Sequence, residues 1–268
     1  MRERMYRAFH LEGDVCAEQL EQTDVATSRL RALLPLSDDE MLAMDSYDES
    51  FLVRFTYNSA AIEGSTLSLV DTALVLEGEF MPSDPADKRL SDVFAARGVA
   101  DGVAFMHRAL VDGLPLSETL IKDIHERTAL DCQPRTRGSY RSAAVWIRGS
   151  ETTTAPVHEI RDYMADLLYQ FEESSEHTII KAAAFHAMFE NIHPFADGNG
   201  RVGRIVMNFM LQQAGHPPIA IKAAGRADYL RAMEDWQVRD NPKPLISLIA
   251  GQVVEEAEAR AAGIMQSR

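Results

Sequence analysis

Within twelve positions, His193-Pro194-Phe195-Ala196-Asp197-Gly198-Asn199-Gly200-Arg201-Val202-Gly203-Arg204 gathers a base, a carboxylate, an asparagine between two glycines, and two arginines. Gly-Asn-Gly lets the backbone turn and come close to a ligand without interference from a Cβ. The unpaired amides of a first helical turn, with the helix dipole behind them, form an anion site. A histidine, a carboxylate and two arginines around such a site point to phosphate chemistry. Taken singly, each part is ordinary: Gly-Asn-Gly is a common turn, and arginines three apart usually line a solvated face. Their order and compactness carry the inference.

The elements that must position these residues can be read from periodicity. Val202, Ile205, Val206, Phe209 and Met210 recur at the spacing of one helical face, with Arg201, Arg204 and Asn208 on another. A helix from about Thr178 leads into the motif. Pro156 opens an amphipathic helix with Val157, Ile160, Met164, Leu167, Leu168 and Phe171 on one side. Ser68 and Ser117 can cap helices over 69–76 and 118–130. Residues 87–110 read as a long helix with a break or kink at Gly98 or Gly102. Further helical segments are expected over 15–34, over 46–61, after Arg226 and after Pro242 or Pro244. Val145-Trp146-Ile147-Arg148, Gly149-Ser150 and Glu151-Thr152-Thr153-Thr154 read as one short β-hairpin, β-branched residues flanking a Gly-Ser turn. The expected fold class is therefore all-α with a single hairpin near the site. His186 lies two helical turns before His193, about 10 Å along the axis, too far to share a metal, and reads as a buried structural histidine.

The twelve residues fill every specified position of the Fic family motif, His-x-Phe-x-Asp/Glu-Gly-Asn-Gly-Arg-x-x-Arg. The flanks Phe185-His186-Ala187, Asn191-Ile192, Ala214 to Pro218 and Arg226-Ala227-Asp228-Tyr229 are similar to that family as well. The resemblance covers roughly Asp45 to the C-terminus. It implies a Fic domain over 45–268 and leaves an N-terminal helical segment, 1–44, without a role. Fic enzymes mostly move AMP from ATP to a protein hydroxyl. The resemblance therefore implies His193 as the general base, with a pKa suited to neutral pH. It implies Asp197 as the Mg²⁺ ligand, and Gly198, Asn199 and Gly200 as the phosphate cradle, with a side-chain donor from Asn199. Arg201 would meet the β-phosphate and Arg204 the γ-phosphate, in bidentate geometry. Phe195 is expected to be buried and to anchor the loop. Tyr229, with Gln237 and Asn208 as further candidates, would recognise adenosine. The hairpin, within 140–156, resembles the Fic flap, which docks an extended target segment through Val145, Trp146 and Ile147 by strand addition.

Ser59-Ala60-Ala61-Ile62-Glu63-Gly64 matches the family's inhibitory pattern, Ser/Thr-x-x-x-Glu-Gly/Asn, on a helix of about 46–64. It implies that Glu63 pairs with Arg204 where the γ-phosphate must sit, with Ser59 and Gly64 completing the pattern. Read without the motif, Ile-Glu-Gly is simply a helix end. The implied enzyme is a self-inhibited protein adenylyltransferase acting on Ser, Thr or Tyr of a target protein or of itself. Alternatives are AMP removal with Glu63 positioning water, transfer of UMP or phosphocholine, and a nucleotide-binding regulatory module without transferase activity. Homodimers are frequent in the family.

Composition sets limits. A formal net charge of −14 over 268 residues argues against broad nucleic-acid binding, so an anionic nucleotide needs a local positive island. There is no apolar run of membrane-span length, and Met1 to Arg7 lacks the apolar stretch of a signal peptide. Cys16 and Cys132 match no metal or disulfide pattern, which makes the cytoplasm the expected compartment. The chain ends soon after its last helix, where no winged-helix domain is expected.

Overall fold

The computed structural model describes residues 1–80, 89–147 and 152–268. Among the described residues there are eleven α-helices and no strand: α1 (Arg2–Ala8), α2 (Ala17–Arg31), α3 (Asp38–Ile62), α4 (Leu69–Glu77), α5 (Arg89–Val111), α6 (Glu118–Thr128), α7 (Ile160–Glu173), α8 (Thr178–Ile192), α9 (Asn199–Gln213), α10 (Arg226–Arg239) and α11 (Lys243–Gln266). Short 3-10 turns at Pro134–Thr136, Val157–Glu159 and Ala223–Gly225 join some of them.

Two helices form the centre. Twelve of the fifteen residues of α8 are buried, and so are twelve of the fifteen of α9. A helix apolar all round must be enclosed, and α8 meets that demand among α7, α9, α10 and α11. Alternation of small Ala182, Ala183, Ala184 and Ala187 with Phe185 and Phe189 lets neighbours approach closely on one side and interdigitate on the other. The face of α9 that carries Arg201, Arg204 and Asn208 is buried too, and α3 crosses over it.

Ser68 and Ser117 cap α4 and α6 as expected. The Ser68 hydroxyl accepts from the Asp71 N–H at 3.0 Å while Asp71 returns the bond, a reciprocal cap. The break expected at Gly98 or Gly102 is absent, and α5 runs unbroken from 89 to 111. Both glycines instead allow close packing: a Cβ at Gly98 would overlap the Thr128 carbonyl, and one at Gly102 the Thr128 hydroxyl. They seat the C-terminal end of α6 against α5, which fixes the segment that follows, 129–147, beside the motif. Helix α3 begins earlier than expected, at a reciprocal Ser37–Glu40 cap, and crosses residues 44 and 45 without a break. Helix α1 packs on α7 and α8, and α2 along α11.

The hairpin is a correction. Val145, Trp146 and Ile147 have no strand geometry, and the Gly149-Ser150 turn lies outside the described residues. Among the described residues, a side chain links the two arms: the Thr154 hydroxyl donates to the Val145 carbonyl at 2.8 Å. Three successive threonines at 152–154 carry β-branched propensity, but they spend their polar atoms on side-chain bonds, Thr152 to Gln237 and Thr154 to Val145, rather than on a ladder. No helix among the described residues is long and apolar enough to cross a membrane.

Candidate active site

His193 caps α8 in the left-handed conformation, φ 52°, and residues 193–198 form the loop into α9. A non-glycine residue persists there only when its surroundings over-determine it. Arg141 supplies that constraint. Its Nε donates to the His193 carbonyl at 2.8 Å, Nη1 to Ala143 at 2.9 Å and Nη2 to Ala155, while its backbone N–H donates to Pro194 at 2.9 Å. One buried guanidinium thus ties the His193 turn to both sides of the segment 141–155.

Phe195 is fully buried, as expected, and stacks on His125 with centroids 3.7 Å apart and planes 7° apart. His125 takes the Gly138 N–H on Nδ1 at 2.8 Å, so Nε2 carries the proton and donates to the Asp197 carbonyl at 3.1 Å. Burial pushes its pKa down to about 4, which keeps this neutral tautomer at all ordinary pH. Asn199 turns its side chain to the same loop: Oδ1 accepts from Phe195 N–H and Nδ2 donates to Phe195 O, both at 2.9 Å. Its amide group therefore braces the loop, with one of its two Nδ2 hydrogens engaged there.

Around this loop the charged groups converge. His193 is 20 % exposed at its side chain, with Nδ1 3.2 Å from the Glu190 carbonyl, so Nδ1–H donates there and Nε2 carries the lone pair. Burial lowers its pKa below the ordinary histidine value, leaving a neutral base at pH 7. The Glu190 carboxyl lies 3.7 Å from the same Nδ1. Burial, reinforced by Glu63, pushes its pKa up to about 8, and Oε1 has no hydrogen-bond partner.

Arg204 is 2 % exposed. Its Nε donates to the Ser59 hydroxyl at 3.0 Å, and its Nη2 donates to the Ser59 carbonyl at 2.8 Å and to Glu63 Oε1 at 2.7 Å. Burial opposes both charges of the Glu63–Arg204 pair, but mutual attraction prevails: the carboxylate pKa is lowered and the guanidinium pKa raised. Glu63 also lies over the first turn of α9, where a Cβ at Gly200 would overlap its Oε1. Gly200 is needed for that approach. The carboxylate thus stands against the first turn of α9, paired with Arg204. The end of α3 is strapped in place, with Arg226 donating to the Ile62 carbonyl at 2.6 Å and the Ala223 N–H to Asn58 at 2.8 Å.

Arg201, 3 % exposed, pairs through Nη1 with Asp131 at 2.7 Å. Asp197 is 74 % exposed at its side chain, with Oδ1 accepting the Gly198 N–H at 2.6 Å. It is the oxygen donor best placed for a hard cation. Asp131, Cys132 and Asp197 bring candidate ligand atoms within 4.8 Å of one another. Burial pushes the Cys132 thiol up to about 11, so it stays protonated, and Asp131 is already engaged by Arg201. One free carboxylate suits Mg²⁺, which takes most of its ligands from phosphate and water.

The three residues expected to recognise adenosine are buried and bonded within the protein. Tyr229 is 2 % exposed, and its hydroxyl bonds to His186 Nε2 at 2.5 Å behind Arg204. Burial drives the phenol pKa upward and the His186 pKa down to about 3, so both are neutral supports. Gln237 bonds Thr152 and the Ala187 carbonyl, and Asn208 clasps both backbone atoms of Ile219. Trp146 is 87 % exposed, consistent with a free surface on the segment 145–147. Sequence reasoning missed Asp131, His125, Arg141 and Glu190, none of which belongs to a recognisable spacing.

Residues 115–211, which include the loop, α8 and most of α9, match the Fic/DOC family. The chain is a Fic/DOC family protein. It is 28% identical over 227 residues to a protein adenylyltransferase Fic from Aedes aegypti, covering 82% of this chain and 43% of that one. The counterpart from Drosophila virilis is 30% identical over 204 residues, covering 72% and 39%. The chain thus spans about two fifths of the length of these relatives. Its fold is that of a Fic-domain signalling protein from Bacteroides thetaiotaomicron, TM-score 0.79 at 22% identity, covering 91% and 98% of the two chains. Caenorhabditis elegans Fic-1 gives 0.80 at 21%, covering 94% and 74%. A Bartonella tribocorum effector, BepC, with bound AMPPNP, gives 0.50 at 18%, covering 64% and 88%.

Proposed function

We propose that this Fic protein is an adenylyltransferase that transfers AMP from ATP to a protein hydroxyl and is restrained by its own Glu63. The observation that carries the reading is the Glu63 carboxylate, seated on Arg204 at 2.7 Å and over Gly200, in the place an anionic phosphate would take. His193 Nε2 removes the proton from the incoming Ser, Thr or Tyr hydroxyl. The hydroxyl oxygen bonds to the α-phosphorus as the bond to the β-phosphate bridging oxygen breaks, and pyrophosphate leaves. Arg201 and the first amides of α9 hold the phosphates, and Arg204 takes the γ-phosphate once Glu63 withdraws. Mg²⁺ on Asp197 would neutralise phosphate charge. Segment 145–147 offers the exposed Trp146 to the target chain.

Glu63→Gly should raise Mg²⁺-dependent incorporation of labelled AMP, into the chain itself or a target, and His193→Ala in that background should abolish it. Intact Mg-ATP binding with no gain in transfer would defeat the self-inhibition. A second reading, hydrolytic removal of AMP, is supported by Glu63 being ionised within electrostatic reach of His193. It requires Glu63 as a water-positioning group, so Glu63→Gly would stop hydrolysis of an AMP-modified protein while freeing transfer.

A further inference from the structure

Arg201 sits between two carboxylates. Asp131 Oδ1 is 2.7 Å from Nη1, and Asp197 Oδ1 is 3.9 Å from Nη2, one helical turn back along the chain. The two acids differ in kind. Asp131 follows α6 and is 14 % exposed, whereas Asp197 stands at the loop surface and is 74 % exposed. The Arg201 guanidinium is nearly buried, and a buried cation needs a counter-ion within the protein. Asp131 provides it from one end of the fork only. Nη2 remains turned toward the Gly198 turn, 3.5 Å from where a Cβ at Gly198 would lie, and Nε is buried with no hydrogen-bond partner. A buried donor left unpaired calls for an explanation. An anion held at the start of α9 would supply one.

Glu63 and Asp131 therefore stand in opposite relations to the two arginines. Glu63 lies against Gly200 in the first turn of α9 and on Arg204, where a γ-phosphate would have to replace it. Asp131 holds only Nη1, its carboxylate lying within 4.8 Å of that of Asp197, so Nη2 and the unpartnered Nε remain for a phosphate with the ion pair intact. Without Asp131, the nearest counter-ion for Arg201 is Asp197, already within 4 Å. We infer that Asp131 is a positioning residue: it fixes Arg201 for a nucleotide's β-phosphate and, by holding Nη1, keeps the arginine off Asp197, leaving that carboxylate free for a divalent cation. The inference rests on the nucleotide-binding reading for its purpose, but the exchange of partners it requires is a property of the nucleotide-free chain.

A stability cycle in the full chain without nucleotide tests the exchange. With Asp131 present, Asp197→Asn removes an exposed charge and keeps the Gly198 N–H acceptor, so Tm should move by less than about 1 °C. In Asp131→Asn, Arg201 depends on Asp197, and the same substitution should lower Tm by a further ~3 °C or more, a coupling expected only of groups in contact. Additive shifts would overturn the inference whatever the protein does with ATP. Calorimetric titration in the Glu63→Gly background tests the purpose. Asp131→Asn should weaken Mg-ADP about tenfold and raise the Mg²⁺ concentration for half-maximal ADP binding several-fold, while AMP binding stays within about twofold. In Arg201→Lys, adding Asp131→Asn should cost less than about twofold more. An equal loss for AMP and ADP would make Asp131 a merely structural residue and refute the positioning role. If neither nucleotide binds while the stability coupling persists, it is the adenylyltransferase reading that fails, and the exchange of partners stands.

Discussion

Glu63→Ala removes the carboxylate from Arg204 without altering the helical backbone at residue 63, which has φ −82° and ψ −4°. Fully exposed ion pairs contribute about 0–1 kcal/mol, and breaking a fully buried pair costs about 3–5 kcal/mol. This pair lies between those limits, with Arg204 at 2% exposure and Glu63 at 43%. The arginine also keeps both bonds to Ser59. Discounting the burial figure for solvent on the Glu63 side leaves about 2 kcal/mol. For a chain of this size that corresponds to a fall in Tm of about 4–8 °C. Ligand linkage gives the second half of the prediction. If ATP must displace Glu63 to seat its γ-phosphate, the free energy released by the substitution returns as affinity, up to ~30-fold for Mg-ATP. Mg-ADP and AMP, which do not reach Arg204, should change by less than about threefold. Thermal melts with and without nucleotide, paired with calorimetric titration of all three ligands, read both effects from the same protein. A variant that loses stability but gains no preference for ATP over AMP would show that the Glu63–Arg204 pair only holds α3 to α9.

Glu190→Gln should stabilise the chain increasingly between pH 5 and 8. A carboxyl whose folded pKa is raised to about 8 is disfavoured by folding once the unfolded form ionises near pH 4.5, so the gain is near zero below that value and a few kcal/mol by pH 7–8. Urea titrations at pH 5, 7 and 8 that showed a constant gap would remove the buried acid from the account. In the Glu63→Gly enzyme, transfer rate should rise through a midpoint below 6.5 and level off by pH 7, since burial lowers the His193 pKa and losing Glu63 lowers it further. A midpoint above 7 would mean another base. Arg141→Lys, with one ammonium in place of a fork serving several carbonyls around the His193 turn, should cut kcat at least about tenfold and change nucleotide affinity little. An unchanged kcat would mean that the turn holds itself.

What the sequence made legible follows from where each piece of information resides. The motif was legible because its chemistry is local: base, carboxylate, glycines and arginines share one loop and the first turn of α9. The Glu63–Arg204 pairing spans 141 positions and was read only through the resemblance to a known pattern. Sequence is least informative where a polar side chain has two plausible uses. Asn199, Asn208, Gln237 and Tyr229 all have donors suited to a nucleotide, and all turn them to neighbouring backbone or buried side chains. Gly98 and Gly102 suggested a break because propensity alone counts against glycine in a helix. Their role is close contact with Thr128, which only the packing of α6 reveals. Asp131, His125 and Arg141 had no signal at all, since each acquires its role from a partner more than fifty residues away.

A restraint of about 2 kcal/mol has consequences of its own. It would leave roughly one molecule in thirty with Arg204 free at any moment, enough for slow turnover and too few for full activity. A partner or target that favours the open form by only a similar amount would bring the two populations level. Such weakness is built into the geometry. Arg204 is buried and bonded to Ser59 as well as to Glu63, so on that reading only the half-exposed carboxylate would have to move, and water could solvate it as it left. Had Glu63 been buried as deeply as Arg204, its departure would have cost several kcal/mol more, and ATP alone could not have displaced it at ordinary concentrations. On the proposed reading, the exposure of Glu63, rather than the short distance to its partner, would let the contact act as a switch instead of a permanent brace.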